Sequence, residues 1–267
     1  MIVFLKGILI GVANIIPGLS GGTMAVILGL YSRIVNAISD VISLDITKIK
    51  SSLFFLFLLI FGAAIGIFLF ANVIDYLLRY YSEPTFFFFI GTVIASIPIV
   101  LKSHDDMGFD FYRVSVLIFF MIIPILFLLF NISTVETVMD LSSNYTTMIL
   151  LFSGFIAAVA MVLPGLSGSF ILLVLGSYGT IIYAIKSFNF FVIFLVGSGV
   201  LFGVSFAAKF VKYCLSKYPS MTYYGILGLV LGSIPALWPG ISLNLLFVDF
   251  ISLTAGLGVV FIFKRFN

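Results

Sequence analysis

Two stretches of this chain carry the residue types needed to bind a small oxyanion. Near the start it reads Asn14-Ile15-Ile16-Pro17-Gly18-Leu19-Ser20-Gly21-Gly22-Thr23, and past the middle Met161-Val162-Leu163-Pro164-Gly165-Leu166-Ser167-Gly168-Ser169-Phe170. In each, the proline ends an incoming helix by removing a donor and clashing with the preceding turn. The glycines allow positive φ and close backbone approach, and Ser20 or Ser167 stands where it can cap an outgoing helix. The start of such a helix presents free N–H groups and the positive end of the macrodipole, which suits phosphate. The candidate binding set is therefore Asn14, Pro17, Gly18, Ser20, Gly21, Gly22 and Thr23 with Pro164, Gly165, Ser167, Gly168 and Ser169. The copies are not equivalent: Met161 matches Asn14, and Ser169-Phe170 matches Gly22-Thr23. Close helix packing would account for small residues in a membrane, but not for a duplicated proline with hydroxyls. For Asn14, a ligand contact and a polar bond between hairpins are equal readings.

Other chemistries find little support. Cys214 and His104 are each alone, so no internal disulfide or cysteine-based metal site can form. A lipid phosphatase would need a nucleophile with an acid/base partner or a metal, and no carboxylate pair stands at the two motifs. No catalytic residue, metal or cofactor is expected.

The elements that must position these motifs are membrane helices. The chain is 63% hydrophobic and 9% charged, with mean hydropathy +1.33; a soluble domain is usually about a quarter charged. Uncharged runs near or above the ~20 residues of a bilayer-spanning helix recur along it, and the alternation of a β-barrel is absent. Pro17 and its glycines follow too soon for a cleavable signal peptide. The net charge of +3 reflects membrane topology rather than nucleic-acid binding.

The repeat extends past the motifs. An offset of 147 aligns Gly7 with Gly154, Leu28-Gly29 with Leu175-Gly176, and Tyr31 with Tyr178. An offset of 137 aligns Gly62 with Gly199, Gly66 with Gly203, and Ser96-Ile97-Pro98 with Ser233-Ile234-Pro235. If each Pro-Gly segment enters and returns on one side, eleven of the thirteen Lys and Arg residues share one face, leaving Arg79 and Lys186 on the other. That is the positive-inside pattern. The arms Val3 to Ile16 and Ser20 to Tyr31 are about 20 Å of helix, too short to span alone.

The expected fold is thus an all-α polytopic membrane protein with an inverted repeat, each half one re-entrant helical hairpin plus three transmembrane helices. The first repeat, 1–132, has its hairpin at 3–38 and spans at about 52–74, 85–101 and 114–132. The second, 141–267, has its hairpin at 148–185 and spans at about 188–209, 221–238 and 243–263. Both termini are then cytoplasmic, and the tips meet near the midplane, where non-helical backbone must be buried in protein or line a wet cavity. Paired interruptions of this kind point to a transporter's binding site. Gly62, Gly66, Gly199 and Gly203 read as packing positions. Arg79 and Lys186 are candidates for recruiting an anionic headgroup, against ordinary end-of-helix charge. Asp249, about six residues inside the last span, is a candidate proton or ion site, against an Asp favoured near a helix N-terminus. The tyrosines Tyr76, Tyr80, Tyr81, Tyr223 and Tyr224, with Trp238, read as interface anchors.

With these residues the sequence resembles the bacterial polyprenyl-phosphate transporter family of the PopT type. The resemblance covers nearly the whole chain and rests on the two motifs, on Gly29 and Tyr31, on Gly176 and Tyr178, and on Gly-Ser-Ile-Pro near Pro235. Many family members carry an acidic residue just after the tyrosine. Here Ser32 and Gly179 stand there, so no ion-coupling role of those acids carries over. The resemblance implies a flippase in the bacterial plasma membrane that moves undecaprenyl phosphate from the outer to the inner leaflet for reuse in cell-envelope synthesis. Its partners would be the lipid phosphate and the bilayer, with no nucleic acid; a homo-oligomer is left open. The alternative on the residues alone is a transporter or channel for a small soluble anion, and a non-transporting scaffold would leave the duplicated motifs unexplained.

Overall fold

The computed structural model describes residues 1–16, 18–129, 139 and 144–265. Pro17 and the end of the span expected at 114–132 lie outside the described residues. The described chain is all helix and connecting turn. In order the helices are α1 (Ile2–Ile15), α2 (Gly21–Ile27), α3 (Tyr31–Ile42), α4 (Ile49–Tyr80), α5 (Ser82–Leu101) and α6 (Phe111–Leu129). There follow α7 (Asn144–Val162), α8 (Gly168–Val174), α9 (Tyr178–Lys186), α10 (Phe190–Lys217), α11 (Pro219–Gly232), a 3-10 turn (Ile234–Leu237) and α12 (Leu246–Arg265).

Among the described residues six helices are long and apolar enough to cross a membrane, namely α4, α5, α6, α7, α10 and α11 with the 3-10 turn after it, or up to eight if each of two bent pairs counts as one span. Thus α7 is long enough to cross where a short hairpin arm is expected, and the apolar stretch of α12, expected as the last span, falls short of that length. The bent pairs are α2 with α3, at 119°, and α8 with α9, at 110°. This is a multi-pass membrane protein. The outward faces of α4 and α10 carry exposed Phe54, Phe57, Phe68, Phe194 and Phe202, as expected where the solvent is lipid.

Helix contact is made through glycine. A Cβ on Gly62 would stand 2.3 Å from the Phe4 carbonyl oxygen and one on Gly66 2.3 Å from that of Ile8, joining α4 to α1. On the corresponding helices, Gly199 would meet Leu151 O at 2.1 Å and Gly203 would meet Phe155 O at 2.3 Å, joining α10 to α7. Backbone touches backbone at all four positions, the small-residue association typical of membrane helices. The remaining long helices pair across the two halves of the chain. In the α5–α12 contact Gly91 lies against Leu253 O and Gly256 against Phe88 O; in the α6–α11 contact Gly228 lies against Leu117 O.

The outgoing arms differ from expectation. In place of a helix from Ser20 to Tyr31, α2 stops after seven residues, and α8 does the same. The cause is local. Gly29 and Gly176 both take φ +67°. Leu30 N donates to Ala25 O and Gly29 N to Val26 O, and Ser177 N to Leu172 O and Gly176 N to Leu173 O. Each is a glycine-terminated Schellman stop, built from the Leu-Gly pairs that the repeat aligns. Other boundaries move as well: α7 has 19 residues, longer than the arm expected from 148; α4 runs on to Tyr80 and α10 to Lys217, past the ends expected near 74 and 209; and α12 starts at Leu246 rather than near 243, so Asp249 sits in its first turn. Among the aromatic residues read as anchors, Tyr76, Tyr80 and Tyr81 form an exposed cluster. Tyr224 instead is buried, and its hydroxyl donates to the carbonyls of Met107 and Gly108.

The halves are also tied by polar contacts. Lys212 Nζ on α10 reaches Asp40 Oδ1 on α3 at 2.7 Å, and the hydroxyls of Ser32 on α3 and Tyr223 on α11 are 3.0 Å apart.

Candidate functional site

Each tip is built by its own backbone. At the first, Gly18 turns the chain with φ +82°. Ser20 takes the extended N-cap conformation, and its Oγ accepts from Thr23 N at 3.1 Å. Asn14 reaches up from α1, its Oδ1 accepting from Gly21 N at 3.1 Å. At the second, Pro164 is fully buried and Gly165 turns with φ +79°. Ser167 caps α8 through Phe170 N at 3.4 Å, and its hydroxyl is 2.9 Å from that of Ser169.

The tips interlock in one direction. Gly165 N donates to both Ser20 Oγ at 3.1 Å and Thr23 Oγ1 at 2.8 Å, while those two hydroxyls stand 2.9 Å apart. Thr23 is wholly buried. A Cβ on Gly22 would lie 3.2 Å from Pro164 Cα. The repeat explains the one-sidedness: the counterpart of Thr23 is Phe170, which has no hydroxyl to return the grip. Ser167 and Ser169 therefore stay exposed, whereas Ser20 and Thr23 are committed to the lock. Both tips rest on the chain beyond α10. A Cβ on Gly165 would meet Leu229 O at 2.2 Å, and one on Gly18 would meet Ala236 O at 2.8 Å.

The interlocked tips border two cavities. The larger, ≈ 870 Å³, is lined by Asn14, Ser20, Gly21 and Gly22 from the first tip and by Ser167, Gly168 and Ser169 from the second. Its other walls are mainly apolar side chains of α1, α3, α4, α7 and α10, including Ile60 and Val200, with the hydroxyl-bearing Tyr31 at the start of α3; among the described residues they include no Lys, Arg, His, Asp or Glu. Ile60 is 66% exposed, so the cavity reaches the outer surface of the bundle at α4. The smaller, ≈ 310 Å³, shares Gly18, Ser20, Ser167 and Ser169 and is closed by α6 and Ala236. Among the described residues, the amides of Gly22, Gly168 and Ser169 have no acceptor in the protein. With the hydroxyls of Ser167 and Ser169 they form a donor set suited to an oxyanion. Because α2 and α8 are each seven residues long, their macrodipoles are small, and the local N–H and O–H groups carry the electrostatics.

Not every expected residue belongs to this site. Arg79 lies on the surface in an ion pair with Asp75 at 2.9 Å, and Lys186 is exposed at the end of α9; neither lines the two cavities. Asp249 is buried on α12 and lines neither. Sequence reasoning missed Lys6. It is 5% exposed, and its Nζ donates to Leu28 O at 3.0 Å, holding the C-terminal end of α2. The signal was present as a lysine inside an apolar arm, but it was absorbed into the topology count.

Comparison with known proteins gives the family. A family described as VCA0040-like, undecaprenyl phosphate translocase-like, matches residues 10–249, which include both tips. The chain belongs to this family. As a member of the undecaprenyl phosphate translocase-like family it is 36% identical over 249 residues to a polyprenyl-phosphate transporter of Staphylococcus aureus, covering 90% of this chain and 87% of that one. It is 30% identical over 247 residues to a polyprenyl-phosphate transporter of Vibrio cholerae, covering 88% of this chain and 77% of the relative. Both relatives are transporters by name, a non-enzymatic role. No solved structure matches the chain.

The polar bond of Asn14 stays within its own hairpin, at Gly21 N, and does not run between hairpins as one of its two readings expected. One substitution tests whether Asn14 also faces the ligand. Asn14→Asp keeps an acceptor for Gly21 N and adds a negative charge beside the donor set. The expected result is unchanged thermal stability with phosphate-lipid affinity lowered at least about tenfold, a like-charge penalty above about 1.4 kcal/mol. Unchanged affinity would leave Asn14 a purely structural residue.

Proposed function

We propose that this protein carries undecaprenyl phosphate from the outer to the inner leaflet of the bacterial plasma membrane, returning the lipid for cell-envelope synthesis. The phosphate is held at the paired tips by the amides of Gly22, Gly168 and Ser169 and the hydroxyls of Ser167 and Ser169. The observation that carries this reading is the composition of the ≈ 870 Å³ cavity. Apart from the Tyr31 hydroxyl on α3, which has no partner among the described residues, its polar donors are at the tips, and the remaining walls are mainly apolar out to exposed Ile60. A soluble anion needs the donors but not a greasy path to the bilayer, whereas a lipid phosphate needs both. The prenyl chain would leave along α4 while the head stays at the tips.

Two cavities that share residues of both tips support alternating access, with the lock between Ser20, Thr23 and Gly165 as the contact that must shift. The matching glycine contacts of α1 with α4 and of α7 with α10 support two halves of inverted orientation with both termini cytoplasmic, in line with the distribution of Lys and Arg.

The test is reconstitution into liposomes with leaflet exchange of undecaprenyl phosphate measured against undecaprenol. Exchange of the phosphate and not of the alcohol is the expected result. Folded protein that moves neither, yet moves a water-soluble phosphate, would replace the lipid reading with a soluble-anion carrier.

A further inference from the structure

Asp249 presents a chemical problem away from the tips. Its side chain is 4% exposed, and neither carboxylate oxygen has a hydrogen-bond partner. Buried polar groups are nearly always satisfied, and a buried carboxylate with no donor demands an explanation. The polar side chain facing it is another carboxyl, Glu83, in the first turn of α5. One Glu83 oxygen accepts from Ser242 N in the segment leading into α12. The surroundings offer no cation. On α5 the one ionisable group is Glu83, and over Leu246–Ile262 of α12 it is Asp249. Residues 238–245 have none, and the nearby end of α4 holds Asp75 and Arg79 already paired with each other. Two carboxylates cannot donate to one another; one proton between them supplies the missing O–H donor.

The pair also has a route to the substrate site. Ser242 follows Gly240, a turn at φ +90°, and Trp238, whose ring meets Phe87 of α5 edge-on at 5.6 Å. Immediately before these stands the 3-10 turn whose Ala236 O lies against Gly18 of the first tip. A change in the Glu83 contact with Ser242 N therefore acts on a short, continuous segment that ends at the tip. We propose that Glu83 and Asp249 form a proton-binding carboxyl pair that couples proton gain and loss to the position of the first hairpin tip. Such a pair titrates as a unit, so either carboxyl is a valid target. Proton binding here stands apart from the phosphate site, and only the transport readout rests on the lipid-transporter reading.

The experiment is an infrared pH titration of the purified protein, following the carbonyl stretch of a protonated carboxyl, in wild type, Asp249→Asn and Glu83→Gln. The expected result is a protonated-carboxyl band in wild type that disappears on alkalinisation and is missing in Asp249→Asn. The pH dependence of undecaprenyl phosphate exchange should flatten at least fivefold in both variants. A wild type without such a band, or a band that survives both substitutions, overturns the pair. Variants that lose the band but keep the wild-type pH profile overturn the coupling. The wild-type spectrum decides the first point even if a variant fails to fold.

Discussion

Replacing Ser167 and Ser169 together by alanine is expected to lower undecaprenyl phosphate exchange by about 100-fold with little loss of folded protein. The two hydroxyls bond to each other, are exposed, and line both cavities. Neither holds the second tip against the first. Ser167 gives up a long cap to Phe170 N, worth about 0.5–2 kcal/mol. Hydrogen bonds to a charged group are worth about 1.5–3 kcal/mol each, so the loss of two, partly replaced by water, is an effect of about 100-fold. Removing the two hydroxyls of the first tip gives a different result. Ser20→Ala with Thr23→Val removes both acceptors of Gly165 N and so loosens the lock, lowering stability along with transport. Thermal stability measured beside phosphate-lipid affinity separates the two cases. Equal stability losses in the two double variants, or exchange unchanged in Ser167→Ala/Ser169→Ala, would remove the second tip's hydroxyls from the site.

Leucine at Gly62 or Gly199 is expected to abolish the folded protein. A Cβ at these positions would stand 2.3 Å from Phe4 O and 2.1 Å from Leu151 O, and the obstacle in each case is backbone, which cannot rotate away. Overpacking a close contact costs about 1–3 kcal/mol, and here a whole isobutyl group must enter, so the helices must separate and lose their contact. Gly197→Leu and Gly258→Leu are the internal controls, since a Cβ at either position meets nothing within 4 Å. Size-exclusion profiles of the four variants after detergent extraction give the answer. Monodisperse Gly62→Leu or Gly199→Leu protein would contradict the backbone contact.

The single Leu-Gly pairs show how much of the fold was legible. Gly29 and Gly176 were visible as aligned repeat positions, yet their meaning as helix stops was missed because the apolar pattern continues through them to Tyr31 and Tyr178. A left-handed C-cap is a local signal, and weighting it would have predicted the seven-residue α2 and α8. Asp249 is a different case. Its place near the start of an apolar helix was readable from the sequence, though closer to that start than expected, but its neighbour Glu83 was not, because the two are joined only where α12 packs on α5.

By itself the sequence determined what depends on composition and on neighbours a few residues apart. That includes the membrane-helical class, the breaks at the Pro-Gly motifs, the capping serines, and the family through its two extended motifs. Helix capping and chain reversal act within one turn, so the residues that cause them lie side by side in the chain. Only the tertiary structure decided which hydroxyls are spent and which are free. Gly165 N lies 142 residues from the Thr23 hydroxyl that it reaches, and no local pattern encodes that bond. The lock, the two cavities that border the tips and the meeting of Glu83 with Asp249 all arise from helices brought together by packing, where the distance along the chain carries no information.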